Sequence, residues 1–219
     1  MLANQLITTH FPTVDLFDKV SLALQLMDDF DIQHLPIITE DKFLGLVSKD
    51  DLLDADENAS LKILEADFIR KAVKGGEHFL SALKIAATNG LSLVPVVNDA
   101  MEWIGGIPSA DLLKASSSFT GAEEPGGVIV LDMERKHYSF GEISRLVETN
   151  DAYITQLNTS SEAETGLLLV TLKVNKLEIS DIIATFQRYE YSIRYFIGEE
   201  QYENELKYNY DHLMSYLKM

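Results

Sequence analysis

A serine and an aspartate three positions apart stand where a predicted strand gives way to a predicted helix. The glycine-led apolar run Gly45 to Val47 is followed by Ser48-x-x-Asp51. A carboxylate at a helix start can accept hydrogen bonds from both hydroxyls of a ribose, the serine hydroxyl can add a contact, and the helix N-terminus favours an anionic group such as phosphate. The same two residues also fit a helix cap, with Ser48 as N-cap and Asp51 as the third helical residue. Binding and capping both stay open, and one does not exclude the other.

These two residues belong to one half of an internal repeat. The segment from residue 18 to 27 aligns with residues 77 to 86, and the later segment from residue 43 to 53 aligns with residues 103 to 113. The second alignment places Asp111 on Asp51 and Pro108 on Ser48. Loss of the hydroxyl at Pro108 would remove a contact of about 1 kcal/mol. A ligand is therefore expected to prefer the site that contains Asp51, or to bind at neither site.

Each half of the repeat predicts the same elements in the same order. Apolar residues recur at helical spacing and are followed by two short apolar strands, a turn between them, and a short closing helix. With the strands expected at Phe11 to Val14 and at Phe68 to Val73, the order is β-α-β-β-α, twice. A unit of about 55 residues is marginally stable alone. We therefore expect the two repeats to pack on each other.

The residues that carry this pattern resemble a known family. Leu-Pro-Ile-Ile, a turn, and Leu-Gly-Leu-Val-Ser-Lys-Asp-Asp-Leu resemble the cystathionine-β-synthase (CBS) domain, and the tandem resembles a CBS pair, or Bateman module. We divide it into repeat 1, residues 1–60, and repeat 2, residues 61–117. The resemblance implies that the Ser-x-x-Asp element binds the ribose of an adenine nucleoside while the base contacts the backbone of the other repeat.

Carried onto this sequence, the resemblance implies two clefts. The first, called here the Asp51 cleft, would combine Ser48 and Asp51 with the backbone of Leu91 and Ser92. The pseudo-symmetric Asp111 cleft would consist of Asp111, Thr8, and the backbone of Ile32 and Gln33.

A third unit follows the Ser-, Gly- and Pro-rich stretch from Ser116 to Gly127, which is a strong boundary signal. Residues 126–198 predict the order β-α-β-β-α-β, which is the ferredoxin-like arrangement. After a CBS pair, this unit resembles an ACT domain, a small regulatory fold often tied to amino-acid sensing. The composite resembles the CBS-pair-plus-ACT chains found among acetoin-utilisation-type accessory proteins. The fold class predicted for the whole chain is α+β.

Two further features of this region bear on ligands and assembly. Gly141 stands where ACT domains often carry a glycine that binds an amino-acid carboxylate, although a helix start capped by Ser139 is the favoured interpretation. Residues 199–219 predict a C-terminal amphipathic helix, docked on the body or on a second subunit. Its apolar stripe consists of Tyr202, Leu206, Leu213 and Leu217.

Composition excludes several classes of function. The chain has 219 residues, 18 Lys and Arg against 35 Asp and Glu, a formal net charge of −17, and zero cysteines. Without cysteine there are no disulfides, thiolate zinc sites or cysteine nucleophiles. A chain this acidic disfavours nucleic acid and anionic membranes as partners. The five histidines show no metal-binding spacing and we find no catalytic motif. With neither a signal-peptide pattern nor a long apolar segment, we expect a cytoplasmic protein.

These observations favour a regulatory protein that is not an enzyme, needs no cofactor and forms a homodimer. Its expected ligand is an adenine nucleoside or nucleotide, and AMP-like molecules or cationic S-adenosylmethionine suit the charge of −17 better than a triphosphate does. The alternative is a protein-interaction or scaffold subunit whose CBS clefts are vestigial and ligand-free. Pro108 and the scarcity of basic residues favour that alternative.

Overall fold

The computed structural model describes residues 1–198 and divides the chain into two compact units. The first unit is Met1–Ser116, and the second begins at Ser117. The helix predicted for residues 199–219 lies outside the described residues. Within residues 1–198, no helix is both long and apolar enough to cross a membrane.

Repeat 1 consists of two helices and an antiparallel strand pair: α1 Val20–Asp29, β1 His34–Thr39, β2 Lys42–Ser48 and α2 Lys49–Leu53. Helix α1 buries Val20, Ala23 and Met27, which share one face at helical spacing. The strand predicted before α1 is reduced to a single parallel bridge between Val14 and Ile37. Pro12 has no N–H to donate, which limits ladder formation in that segment.

Repeat 2 follows the order β-α-β-β-α, but the strand predicted at Phe68 to Val73 is reduced to β3 Val73–Lys74. The other elements are α3 Phe79–Asn89, β4 Leu93–Val97, β5 Trp103–Pro108 and α4 Ser109–Phe119. Strand β4 pairs in parallel with β3 and antiparallel with β5. Helix α4 continues past Ser116 into the stretch predicted as a linker. Ala115 is buried in the core of repeat 2, and the Ser116 hydroxyl donates to the Leu112 carbonyl at 2.8 Å, so the serine side chain is accommodated within the helix.

Equivalent residues of the two repeats meet at a pseudo-two-fold axis. The Phe43 N–H donates to the Met101 carbonyl at 3.0 Å, and the Trp103 N–H donates to the Asp41 carbonyl at 2.9 Å. The rings of Phe43 and Trp103 stack with centroids 6.2 Å apart. A shared core lies beside them and consists of Phe43, Leu46, Leu91, Leu93 and Val97. The two repeats therefore fold as one unit.

Each repeat also receives a crossing segment from outside its own strand pair. Thr8 and Gly106 exchange backbone hydrogen bonds of 2.8 and 3.3 Å, so the N-terminal segment lies along β5 of repeat 2. Ile69 and Leu46 exchange bonds of 2.9 and 3.0 Å, so the segment before β3 lies along β2 of repeat 1. This exchange places Thr8 beside the strand that leads to Asp111.

The second unit is an antiparallel sheet with two helices: β6 Val128–Met133, α5 Phe140–Glu148, β7 Ile154–Ser161, β8 Leu168–Val174, α6 Ser180–Arg188 and β9 Ser192–Ile197. The strand order is β7-β8-β6-β9, which together with the element order is ferredoxin-like. The α+β fold class is thereby confirmed. Strand β7 continues to Ser161 because residues 158 to 161 pair with β8.

Candidate functional site

Ser48 and Asp51 are joined to each other at the start of helix α2. The Ser48 hydroxyl oxygen accepts the Asp51 N–H at 3.2 Å and donates its own proton to Asp51 Oδ2 at 2.5 Å. Ser48 has extended backbone angles and is the N-cap of α2. The capping role is therefore present in the structure. Both side chains are only half-buried, so the cap leaves them accessible at the end of the repeat.

His34 is a buried polar residue beside this cap that the sequence analysis missed. It begins β1, and its Cα is paired with that of Ser48 across the strand pair. Its Nδ1 lies 2.9 Å from the Ser92 hydroxyl oxygen and accepts the Ser92 N–H at 3.2 Å. Since a backbone N–H can only donate, we assign Nδ1 as unprotonated and the ring proton to Nε2. His34 thus connects the two repeats.

The pKa of His34 reflects two opposing influences. Burial lowers the pKa below its ordinary value of 6.5, while the carboxylates of Asp51 and, to a smaller extent, Asp50 act to raise it. Burial is the larger effect and favours the neutral ring.

Leu91 and Ser92 lie at the junction of the two repeats. Leu91 is buried in the shared core, and its N–H donates to the Ala86 carbonyl at 3.0 Å. The Ser92 carbonyl accepts the Ser109 N–H at 2.9 Å, while its N–H is donated to His34. The structure therefore brings Ser92 of repeat 2 to the strand of repeat 1 that pairs with Ser48, and it engages both backbone groups of Ser92.

The surroundings of Asp111 differ from those of Asp51. Asp111 lies in the first turn of α4, where Pro108 replaces the capping hydroxyl, and its Oδ1 is 3.3 Å from Lys114 Nζ. The Lys114 side chain is 81% exposed, so this ion pair contributes little stability. Asp111 therefore contacts an exposed lysine, whereas Asp51 contacts a serine.

The other residues predicted for the Asp111 cleft are distributed over both repeats. Thr8 lies along β5, as described above. The Ile32 N–H donates to the Met27 carbonyl and the Gln33 carbonyl accepts the Lys49 N–H, both at 3.0 Å. Over residues 1–198, the hydrogen bonds described for Ile32 and Gln33 thus lie within repeat 1.

Three basic side chains of the first unit are engaged in local contacts. Lys49 Nζ lies 2.5 Å from Asp28 Oδ1, and Lys74 Nζ lies 2.7 Å from Asp99 Oδ1. Arg70 donates to the Glu65 carbonyl at 2.8 Å. A ligand with a large negative charge would have to compete with these partners. Within residues 1–198, no group of three or more His, Asp or Glu side chains is placed to hold a metal ion.

The second unit contains an open pocket of about 640 Å³ next to the start of α5. Ser139 caps α5 by accepting the Glu142 N–H at 3.4 Å, as the favoured interpretation predicted. A Cβ added at Gly141 would meet nothing within 4 Å, so a side chain would fit at this position. Burial and the neighbouring Glu142 raise the pKa of Tyr191, which lines the same pocket.

Comparison with known proteins agrees with this architecture. The family model described as CBS domain matches residues 3–58. A CBS domain pair/ACT domain protein from Thermotoga maritima is similar with 24% sequence identity and a TM-score of 0.50, covering 54% of this chain and 98% of that chain. The CBS domains of a transcriptional regulator from Streptococcus pneumoniae show 16% identity and a TM-score of 0.47, covering 52% of this chain and 98% of that one.

Two of these findings concern the domain family and the fold of the first unit. The model match places a CBS domain in repeat 1, and the Thermotoga maritima structure shares the fold. Residues 3–58 therefore match the CBS domain, and the first unit shares the fold of the CBS domain pair in the Thermotoga maritima structure.

Proposed function

We propose that this protein is a non-enzymatic regulator that senses an adenine nucleoside or nucleotide, AMP-like or S-adenosylmethionine, at the Asp51 cleft. CBS domains are regulatory, ligand-binding modules, and the match of residues 3–58 supports that general role. The observation that carries the proposal is the contact of the two repeats beside the Ser48–Asp51 pair, where the Ser92 N–H of repeat 2 donates to His34, whose Cα is paired with that of Ser48. Ser92 of repeat 2 contacts His34, and His34 is influenced by Asp51 of repeat 1.

The chemistry of the cleft suits a ribose. The Asp51 carboxylate can accept hydrogen bonds from two neighbouring hydroxyls, and the Ser48 hydroxyl lies beside it at 2.5 Å. The engaged lysines and the net charge of −17 favour a ligand with one phosphate, none, or a positive charge.

Regulation would follow from the position of the cleft between the repeats. A ligand that binds one packing of the repeats better than another shifts the population toward it, by no more than its difference in affinity. The predicted homodimer would pass that shift to a partner subunit. Exposed Leu53 and Leu113, at equivalent positions of the two repeats and 64% and 72% exposed, supply apolar surface for self-association.

The proposal is tested by isothermal titration calorimetry with adenosine, AMP, S-adenosylmethionine and ATP against the wild type, Asp51→Asn and Asp111→Asn. Asparagine keeps the shape and can still accept a hydrogen bond from Ser48, but it loses the charge. Hydrogen bonds to a charged group contribute about 1.5 to 3 kcal/mol. We therefore expect Asp51→Asn to weaken binding at least about 10-fold and Asp111→Asn, the matched control, to bind as the wild type does.

Two results would count against the proposal. Equal weakening by both substitutions would contradict the assignment to the Asp51 cleft. Absence of binding by every ligand to the wild type would favour the alternative, a protein-interaction or scaffold subunit with vestigial clefts.

A further inference from the structure

His34 occupies the Ser92 backbone donor, which the resemblance to CBS pairs assigns to a base in the Asp51 cleft. Its Nδ1 accepts the Ser92 N–H at 3.2 Å. This atom is an aromatic ring nitrogen with a lone pair in the plane of the ring, which is the same kind of acceptor as the ring nitrogens of adenine. The Ser92 carbonyl is already bonded to the Ser109 N–H. A base can therefore use the Ser92 N–H only after His34 releases it.

We infer that His34 is an internal competitor of the ligand: its neutral imidazole occupies the Ser92 N–H until an adenine base displaces it. This inference rests on the proposed function of the Asp51 cleft. His34 is a positioning residue in this account, because it acts on the ligand through Ser92. Residues 32 to 38 align with residues 91 to 97, so the equivalent residue of repeat 2 is Leu93. Leu93 is fully buried in the shared core and has no acceptor atom.

The competition depends on the protonation state of His34. A protonated imidazole carries hydrogen on both nitrogens and cannot accept the Ser92 N–H. Burial opposes the protonated form of the ring, whereas the nearby charges of Asp51 and Asp50 in α2 favour it. Ser48 of β2 and Ser92, the other polar neighbours, are neutral. Acidification therefore frees the Ser92 N–H, and ligand binding should strengthen as the pH falls through the pKa of His34.

The test uses adenosine as the probe, because it lacks the phosphate whose second ionisation, near pH 6, would obscure the titration. NMR titration of the imidazole ring gives the His34 pKa, and calorimetry then measures adenosine affinity one pH unit above and below it. His34→Leu reproduces the residue of repeat 2 and removes the acceptor. His34→Gln retains an acceptor that does not titrate.

Each protein has a distinct expected result. One hydrogen bond of about 1 kcal/mol corresponds to roughly fivefold in affinity. The wild type should bind adenosine about threefold more tightly below the His34 pKa than above it. His34→Leu should bind about fivefold more tightly than the wild type at the higher pH and show no pH dependence. His34→Gln should bind as weakly as the wild type does at the higher pH, at both pH values.

The outcomes separate this inference from the proposed function. Equal affinity and equal pH dependence in the wild type and both variants would overturn the competition while leaving adenosine binding intact. Absence of adenosine binding in all three proteins would contradict the proposed function, and the competition with it. Circular dichroism shows whether His34→Leu folds. If it does not, the comparison of the wild type with His34→Gln still tests the competition, because a pH dependence shared by both proteins would overturn the inference.

Discussion

At the scale of single residues, Glu162 forms a side-chain contact that connects two strands of the second unit's sheet. Glu162 follows β7 and receives two hydrogen bonds from the Arg194 guanidinium, of 2.6 and 2.8 Å. Arg194 belongs to β9, so the contact joins strands at opposite edges of the four-stranded sheet. The Arg194 hydrogen bonds, helped by the Thr165 hydroxyl, lower the pKa of Glu162 from 4.5 to about 2.

This lowered pKa predicts how the stability of the second unit depends on pH. The Glu162 carboxylate keeps its charge to a lower pH in the folded state than in the unfolded state. Its contribution to the free energy of unfolding is therefore present above pH 4.5 and is lost as the pH falls through about 2. We expect Glu162→Gln to lower the free energy of unfolding at pH 7 and to differ progressively less from the wild type toward pH 2. Urea denaturation across this range measures the difference.

Glu164→Gln, in the same loop at an exposed position, is the matched control and should leave the free energy of unfolding unchanged at every pH. A difference between wild type and Glu162→Gln that stays constant down to pH 2 would contradict the role given to the Arg194 contact.

The sequence predicted some residues of the candidate site but not others. The Ser48–Asp51 pair follows from local spacing, because a cap depends on residues that are neighbours in the chain. The contact between His34 and Ser92 joins residues 58 positions apart and depends on how the repeats pack. One signal was present: His34 aligns with Leu93 and interrupts an apolar strand pattern.

At the scale of elements, two glycines let the crossing segments approach the strands. A Cβ at Gly45 would lie 2.6 Å from Phe68 Cβ, and one at Gly105 would lie 2.1 Å from Ile7 Cγ2. Gly105 also has a φ of +147°, which residues with a side chain rarely adopt. The two glycines occupy equivalent positions in the repeats. Each therefore permits the exchange of segments that builds the first unit.

Substitution of either glycine should destabilise the first unit. Forcing extra atoms into a packed region costs about 1 to 3 kcal/mol, and we expect Gly105→Ala to cost more than Gly45→Ala because of its φ angle. The exposed Gly76, where a Cβ would meet nothing within 4 Å, is the control. Gly76→Ala should change the free energy of unfolding by less than about 0.5 kcal/mol. Chemical denaturation that ranks the three variants equally would contradict the close approach.

The elements themselves were predicted from periodicity except where tertiary contacts changed their ends. The order of strands and helices and most of their positions follow from apolar spacing. The strand before α1 is nearly absent because Pro12 cannot donate, and α4 runs on to Phe119 because Ala115 packs into the core of repeat 2. Helix and strand ends depend on such packing, which spacing alone does not contain.

At the scale of the whole molecule, the proposed ligand site depends on the internal repeat. The alignment of the two repeats predicted their packing on each other, and the structure shows equivalent residues, Phe43 and Trp103, in contact at the pseudo-two-fold axis. The same symmetry predicts two equal clefts, but the chain breaks it with Pro108 in place of Ser48 and with His34 in place of leucine. The domain boundaries predicted at residues 60 and 117, the homodimer and the cytoplasmic location stay predictions.

The most direct test of the central claim is a crystal structure of the full chain with adenosine. We expect one adenosine per chain, with its ribose hydroxyls within hydrogen-bond distance of the Asp51 carboxylate. Its base should accept the Ser92 N–H, and the His34 ring should have moved away from Ser92. Adenosine bound at Asp111 alone, or bound elsewhere with the His34–Ser92 contact intact, would contradict the account.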